Sequence, residues 1–123
     1  MALSFKERKK ILKSTNTLDL TPFKLYSDQK DVDNLIVVIV PKFKNKLAAK
    51  YISPNLKSDH FKIKLDKFGS AVWTMIDGKK KVEKIIKDME HQFGLDLQQA
   101  EERITKFIFQ LYAQGFITFK EIN

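Results

Sequence analysis

The stretch LDKFGSAVWTMIDG, residues 65–78, marks where the hydrophobic pattern of the chain changes from the period of a strand to that of a helix. Asp66 is a favoured N-cap residue, and Gly78 stands where a glycine commonly ends a helix. Between these two residues, apolar side chains recur at spacings of three and four, which predicts an amphipathic helix with one buried face. The residues of that face are Phe68, Ala71, Val72, Met75 and Ile76.

Two further helices are predicted on the C-terminal side of this stretch. One runs from about residue 80 to residue 93 and ends at Gly94, and the other is capped by Asp96 and ends at Gly115. Both carry apolar residues at helical spacing. A short extended tail, residues 116–122, follows them.

On the N-terminal side the pattern is that of strands. Residues 60–65 alternate apolar and polar side chains, which predicts a strand with one face in the core and one in water. Residues 35–40 are six consecutive aliphatic residues closed by Pro41, as expected of a strand buried on both faces or nearly so. Residues 23–26 could form a first strand, and the polar residues 27–34 are interpreted as a turn.

This order of elements predicts an α+β fold of the winged-helix-like kind, in which a small N-terminal antiparallel sheet of about three strands precedes a three-helix bundle. Another α+β packing of the same elements remains open. The length of 123 residues suits one domain. We expect that domain over residues 21–123, after a basic arm or short helix at residues 1–20. Residues 42–58 form a basic insertion between the second and third strands, part of which has the spacing of a short amphipathic helix.

The excess positive charge of the chain is confined to its first half. The formal net charge is +8. Residues 1–67 hold 15 lysines and arginines against 7 acidic residues, whereas residues 68–123 hold 8 of each. An electrostatic partner should therefore be met by the N-terminal half and not by the predicted helices.

Several classes of active site have no support in the sequence. The chain has no cysteine, its four glycines are isolated, and its two histidines lie on different predicted elements. These features argue against thiolate chemistry, a phosphate-binding glycine loop and a metal site. We expect a protein that is not an enzyme and has no cofactor or metal. The longest apolar run has six residues and the basic N-terminus lacks an apolar signal region, so we expect a cytoplasmic protein without a membrane span.

The stretch 65–78 and its continuation resemble the signature of the PqqD family. In that signature a leucine and a polar cap precede a glycine in the first helical turn, an apolar–aromatic pair follows, and Asp-Gly ends the motif. The similarity continues through residues 81–85, 92–94 and 107–117, and it covers residues 61–117 without a gap. The matching residues, to which we assign structural roles, are Leu65, Asp66, Gly69, Trp73, Asp77, Gly78 and Gly115.

The resemblance implies a domain that binds a peptide and does not catalyse. Members of this family, also called RiPP recognition elements, hold the leader of a ribosomally made precursor peptide. They present it to a modifying enzyme, commonly a radical SAM protein. The family peptide is added as a strand beside the third strand, in a groove closed by the third helix. On this chain those elements correspond to residues 60–65 and to the outer face of residues 96–114.

The candidate peptide site combines the third strand with one face of the third helix. An edge strand offers backbone groups for strand addition, and Lys62 and Lys64 would attract an acidic leader, although edge lysines also serve to prevent aggregation. Phe109, if exposed, would anchor a peptide side chain; the alternative is that it packs under the tail. The full candidate set is His60, Phe61, Lys62, Ile63, Lys64, Arg103, Lys106, Phe109 and Gln110.

A winged-helix DNA-binding regulator is the alternative function, argued from fold and charge. A recognition helix would need basic or amide side chains along its length. The predicted third helix instead carries Asp96, Glu101 and Glu102 against Arg103 and Lys106, a net charge of −1. Nucleic acid is therefore the less favoured partner. An inert subunit or dimerisation module also remains open, and the basic arm and insertion could bind a partner of their own or cover the groove.

Overall fold

The computed structural model describes residues 4–41, 60–94 and 96–123, and this part of the chain forms an α+β fold with antiparallel strand pairing. The prediction of the fold class is confirmed at that level. The helices are α1 (Phe5–Ser14), α2 (Lys67–Met75), α3 (Val82–Phe93) and α4 (Leu97–Ala113). The strands are β1 (Pro22–Lys24), β2 (Asp28–Lys30), β3 (Ile36–Pro41), β4 (His60–Lys64) and β5 (Ile117–Phe119), and two short 3-10 turns lie at Thr17–Asp19 and Lys120–Ile122.

A three-stranded antiparallel sheet has the order β2-β3-β4. β3 is central because its run of aliphatic and β-branched side chains suits a strand with neighbours on both sides. Its residues Ile36, Val37 and Val38 are all buried. The register pairs Val38 with Ile63 and Val37 with Gln29. β4 therefore forms one edge of this sheet and β2 forms the other.

Two predictions about the strands need correction. Residues 27–34 contain a strand, β2, and not only a turn. The three side chains of β2 are all exposed, so the strand lacks the apolar alternation by which strands are detected in a sequence. The predicted first strand, at residues 23–26, corresponds to β1, but β1 pairs with β5 and stays outside the three-stranded sheet.

The second sheet joins the two ends of the described chain. β1 pairs antiparallel with β5, so that Pro22 lies opposite Phe119. The tail that the sequence indicates only as extended is therefore a strand, and all of its three residues are buried. The 3-10 turn that follows buries Ile122 as well.

Helices α2, α3 and α4 follow the predicted boundaries closely. Asp66 Oδ1 accepts a hydrogen bond from the Gly69 N–H at 2.6 Å, and Asp96 Oδ1 accepts one from the Gln99 N–H at 2.9 Å. Both aspartates are thus N-caps, as expected from the sequence. α3 ends at Gly94, whose φ of 64° lies in the left-handed region that glycine adopts readily.

One cluster of buried side chains unites the helices with both sheets. It includes the fully buried Trp73, as expected from the sequence. α1 packs against this cluster through the half-buried Ile11 and Leu12. Of the two alternatives for the N-terminal residues, arm or short helix, the structure therefore shows a helix that packs on the domain. The basic insertion at residues 42–58, and the short helix predicted within it, lie outside the described residues.

Candidate functional site

The outer edge of β4 is not paired with any strand in the described part of the chain. In an antiparallel pair, alternate residues direct both backbone groups to the neighbouring strand. The Leu65 N–H donates to the Ile36 carbonyl at 2.8 Å, which fixes that alternation. Ile63 accordingly faces β3, whereas Lys62 and Lys64 direct their N–H and C=O groups to the open side.

The side chains of β4 are exposed on both faces of the sheet. Phe61 is 52% exposed and Ile63 is 39% exposed, on the face by which Leu65 enters the core. The expectation that only one face of this strand meets water is therefore wrong. Edge strands have a neighbour on one side only, and nothing in the described residues covers these two side chains fully. The half-buried His60 begins the strand.

The two lysines of β4 have different surroundings. Lys64 Nζ lies 3.0 Å from Asp31 Oδ2 and 3.7 Å from Asp33 Oδ2, in the turn between β2 and β3. The Leu35 N–H and then Lys64 lower the pKa of Asp31, and the same ion pair raises the pKa of Lys64. Lys62 is exposed and makes no ion pair with a described residue. The positive charge of Lys64 is thus balanced by the two aspartates of the turn, whereas that of Lys62 is not.

On α4, the predicted side chains Arg103, Lys106 and Gln110 line one concavity of about 290 Å³. The opposite wall is the start of α2, including Asp66 and Phe68. Because Asp66 follows β4 after a single intervening residue, this concavity lies at the C-terminal end of the candidate strand. The structure therefore places the three predicted helix residues around a concavity whose other wall begins two residues after β4.

Phe109 lies apart from these three helix residues. Its ring centroid is 5.6 Å from that of Phe119 in β5 and 6.4 Å from that of Tyr112. These contacts correspond to the alternative interpretation, in which Phe109 packs under the C-terminal tail. Phe109 is therefore not part of the proposed peptide site.

The motif residues shape the wall of the concavity and the turns around it. A Cβ atom at position 69 would lie only 3.1 Å from Phe107 Cζ, which is tighter than an ordinary contact. The absence of a side chain at Gly69 therefore leaves room for the ring of Phe107, and α2 and α4 can approach closely. The Asp77 carboxylate accepts the backbone N–H of Lys80 and then that of Lys79, and both bonds lower the pKa of Asp77. Gly78 follows with a φ of 77°. These contacts form the turn between α2 and α3.

Two features of the site escaped the sequence analysis. The guanidinium carbon of Arg103 lies 3.8 Å from the centre of the Phe68 ring, and the turn between β2 and β3 holds Lys64 through its aspartates. The sequence predicts Phe68 only as part of the core face of its helix. The sequence offered one weak signal for the second feature, the acidic composition of residues 27–34.

One of three comparisons with known proteins places the chain in a family. A family model described as coenzyme PQQ synthesis protein D (PqqD) matches residues 56–117, about half of the chain. This confirms the resemblance seen in the sequence, and the match takes in β4, α2, α3 and α4. No curated protein and no solved structure matches the chain. In the described part of the chain, no helix has the length and apolar character that crossing a membrane requires, and no group of three potential metal ligands occurs.

Proposed function

The chain belongs to the PqqD family, and on that premise we propose that it is a non-catalytic adaptor for a ribosomally made precursor peptide. The leader segment of the peptide adds as a strand to the outer edge of β4. The adaptor presents the bound peptide to a modifying enzyme, such as a radical SAM protein, in the synthesis of PQQ or of another modified peptide.

The observation that carries this proposal is the outer edge of β4, with which no described strand pairs. The N–H and C=O groups of Lys62 and Lys64 point away from the sheet, as strand addition requires. At about 1 kcal/mol net for each hydrogen bond, these four groups contribute only a few kcal/mol. That is less than the free energy lost when a peptide gives up its translational, rotational and conformational freedom on binding. Phe61 and Ile63 supply the additional apolar contact, because their exposed side chains lie on the same strand.

The charge around the strand favours an acidic leader. Lys62, Arg103 and Lys106 are exposed, and none of them is in an ion pair with a described residue. Electrostatic attraction of this kind raises the rate of encounter and selects among partners more than it adds to affinity.

The arrangement of helices supports a winged-helix-like description of the fold. α2, α3 and α4 follow one another with short connections, and β5 comes directly after them and pairs with β1. The DNA-binding alternative gains nothing from the structure: Glu101 and Glu102 are exposed on α4, the helix that would have to approach phosphates.

A titration followed by NMR tests strand addition. The ¹⁵N-labelled protein is titrated with synthetic peptides that match the N-terminal segments of short reading frames encoded beside its gene. We expect the largest shifts, and slowed hydrogen exchange, at the amides of Lys62 and Lys64. Duplex DNA at two salt concentrations serves as the competing partner, since binding to phosphates weakens steeply with salt.

Two proline variants sharpen this test. Lys62→Pro removes an N–H that points outward from β4, and proline is tolerated at such an edge position. Lys30→Pro is the matched control, because Lys30 lies on the opposite edge of the same sheet and also directs its N–H outward. We expect Lys62→Pro to weaken peptide binding at least tenfold, and Lys30→Pro to leave it within twofold. Equal binding by the two variants, or shifts centred on β2, would overturn the proposal.

A further inference from the structure

Arg103 and Lys106 are shared by two neighbouring concavities on α4. One is the 290 Å³ concavity against the start of α2, and the other, of about 400 Å³, is lined by Gln99 and Glu102 as well. Both long cationic side chains thus contribute to the lining of both concavities. A ligand in either hollow meets the same pair of positive charges.

The guanidinium of Arg103 is held in place by an aromatic ring. It lies 3.8 Å above the centre of Phe68, and the Phe68 ring in turn contacts Phe93 with centroids 5.8 Å apart. Stacking of this kind leaves the edge of the planar guanidinium, with its N–H donors, open to a ligand. Arg103 forms no ion pair with a described residue, so that donor edge is available.

Among the described residues, no acidic group makes an ion pair with Arg103 or Lys106. Asp66 Oδ1 accepts the Gly69 N–H at 2.6 Å and caps α2, and the same carboxylate also lines the first concavity. Glu102 lines the other hollow, is exposed, and makes no ion pair with Arg103 or Lys106. Lys106 and the amide of Gln110 add donors to the first hollow.

The strand itself offers less charge than the sequence indicates. Lys64 is the lysine of β4 nearest to the concavity along the chain, and it already contacts Asp31 and Asp33. At the C-terminal end of β4, an acidic side chain therefore meets Lys64 already paired, whereas Arg103 and Lys106 on α4 make no ion pair with a described residue.

We propose that Arg103 and Lys106 form a carboxylate-binding subsite at the C-terminal end of β4, which selects leaders with an acidic side chain at one fixed position. This inference rests on the proposed function and names the substrate class of that same site. The planar fork of Arg103 matches the two oxygens of a carboxylate, and Lys106 adds a second charge. Phe68 is a positioning residue, because it acts only through Arg103.

A small-molecule titration tests the ligand chemistry on the full chain. The probes are N-acetyl-glutamate N-methylamide, its glutamine analogue and inorganic phosphate, and the readout is the side-chain Nε–Hε signal of Arg103. We expect the glutamate derivative to move that signal and the glutamine derivative to leave it nearly unchanged. Equal shifts from the two derivatives would overturn the proposal. A stronger response to phosphate would overturn it too, since the subsite would then be a phosphate site.

Variants separate the geometry of the arginine from its charge. We expect Arg103→Gln to remove the response to the glutamate derivative at the neighbouring amides, and Arg103→Lys to weaken binding about fivefold, as for the loss of a well-oriented ion pair. Lys120→Gln removes an exposed cation elsewhere and should change nothing. If Arg103→Lys binds the glutamate derivative as tightly as the parent chain does, the positive charge alone is sufficient. That result would overturn the claim that the planar guanidinium recognises the carboxylate.

A peptide series distinguishes failure of this inference from failure of the proposed function. Ten-residue peptides of alternating threonine and valine carry one glutamate that is moved along the sequence. We expect one position to give the tightest binding, and Arg103→Gln to abolish that preference while binding persists. Binding at β4 without a preferred position would overturn the carboxylate subsite and leave strand addition intact. No binding at β4 by any peptide would count against both.

Discussion

The indole N–H of Trp73 donates to Asp28 Oδ2 at 2.9 Å, and the whole tryptophan side chain is buried. A buried indole needs such a partner, because an unsatisfied N–H in the interior is costly. Lys24 Nζ lies 5.3 Å from the centre of the same ring and 3.7 Å from Asp28. This contact anchors β2, a strand without an apolar side chain, to helix α2.

Replacing the acceptor tests that anchor. We expect Asp28→Ala to lower the free energy of unfolding by about 1–2 kcal/mol, because the buried N–H of Trp73 loses its acceptor. Asp28→Asn should recover most of the loss, since its amide oxygen can accept the same bond. Asp33→Ala is the control, because Asp33 is exposed and its ion pair with Lys64 contributes little. Urea denaturation followed by the fluorescence of the single tryptophan measures all three. A loss in Asp28→Ala no greater than in the control would contradict the anchor.

At the scale of elements, the turn between β2 and β3 also supports β4. Asp31 Oδ1 accepts the N–H groups of Asp33 and Leu35, each at 2.9 Å, and this closes the turn. Asn34 adopts a φ of 65°, which asparagine tolerates better than most residues. The second carboxylate oxygen of Asp31 pairs with Lys64 on β4. One aspartate therefore links the three strands at the same end of the sheet.

The contacts of Asp31 predict in which direction the stability of the fold changes with pH. The folded pKa of Asp31 lies below its unfolded value, first because of the Leu35 N–H and then because of Lys64. The contribution of Asp31 to stability is therefore present above its ordinary, unfolded pKa of about 3.8 and is lost as the pH falls through the lower folded pKa.

We expect Lys64→Gln to raise the pKa of Asp31 part of the way toward its ordinary value, since the Leu35 N–H remains. The loss of stability in acid should become correspondingly smaller. Titration of the Asp31 carboxyl carbon by ¹³C NMR measures the shift directly. Lys62→Gln, on the same strand, should leave that titration as it is, and an equal effect of both substitutions would contradict the assignment of the ion pair.

At the scale of the whole molecule, the two ends of the described chain hold each other. The Thr21 N–H donates to Glu121 Oε1 at 2.6 Å, and the Lys120 N–H donates to the Thr21 carbonyl at 2.9 Å. The Leu25 N–H donates to the Phe116 carbonyl. Residues outside the part that matches the family model thus complete the hydrophobic core of the domain.

Two phenylalanine substitutions compare the core with the open edge. We expect Phe119→Ala to destabilise the fold by about 3–5 kcal/mol, as for a fully buried aromatic side chain. Phe61→Ala should cost less than about 1 kcal/mol, because Phe61 is half exposed. The same variant should weaken peptide binding, which Phe119→Ala affects only through loss of fold. Thermal unfolding by circular dichroism measures both, and similar melting temperatures would contradict this division.

The sequence by itself determined the three C-terminal helices, the central strand and the family. Helix caps such as Asp66 and Asp96 act on backbone groups within three residues, and apolar periodicity is a local property, so neither needs knowledge of distant contacts. The central strand was equally clear, because six aliphatic residues have few alternatives. Helical periodicity predicted that Arg103, Lys106 and Gln110 share one polar face, and the family resemblance made that face a candidate peptide site.

Only the tertiary structure decided which strands pair with each other and which charged side chains form ion pairs. β2 has no apolar residue and is held by Trp73, 45 residues away in the sequence, while β1 pairs with a strand near the other end of the chain. The exposure of Phe61 and the pairing of Lys64 depend on which elements lie beside β4. Such long-range contacts leave no periodic signal, because they join residues whose spacing in the sequence is arbitrary.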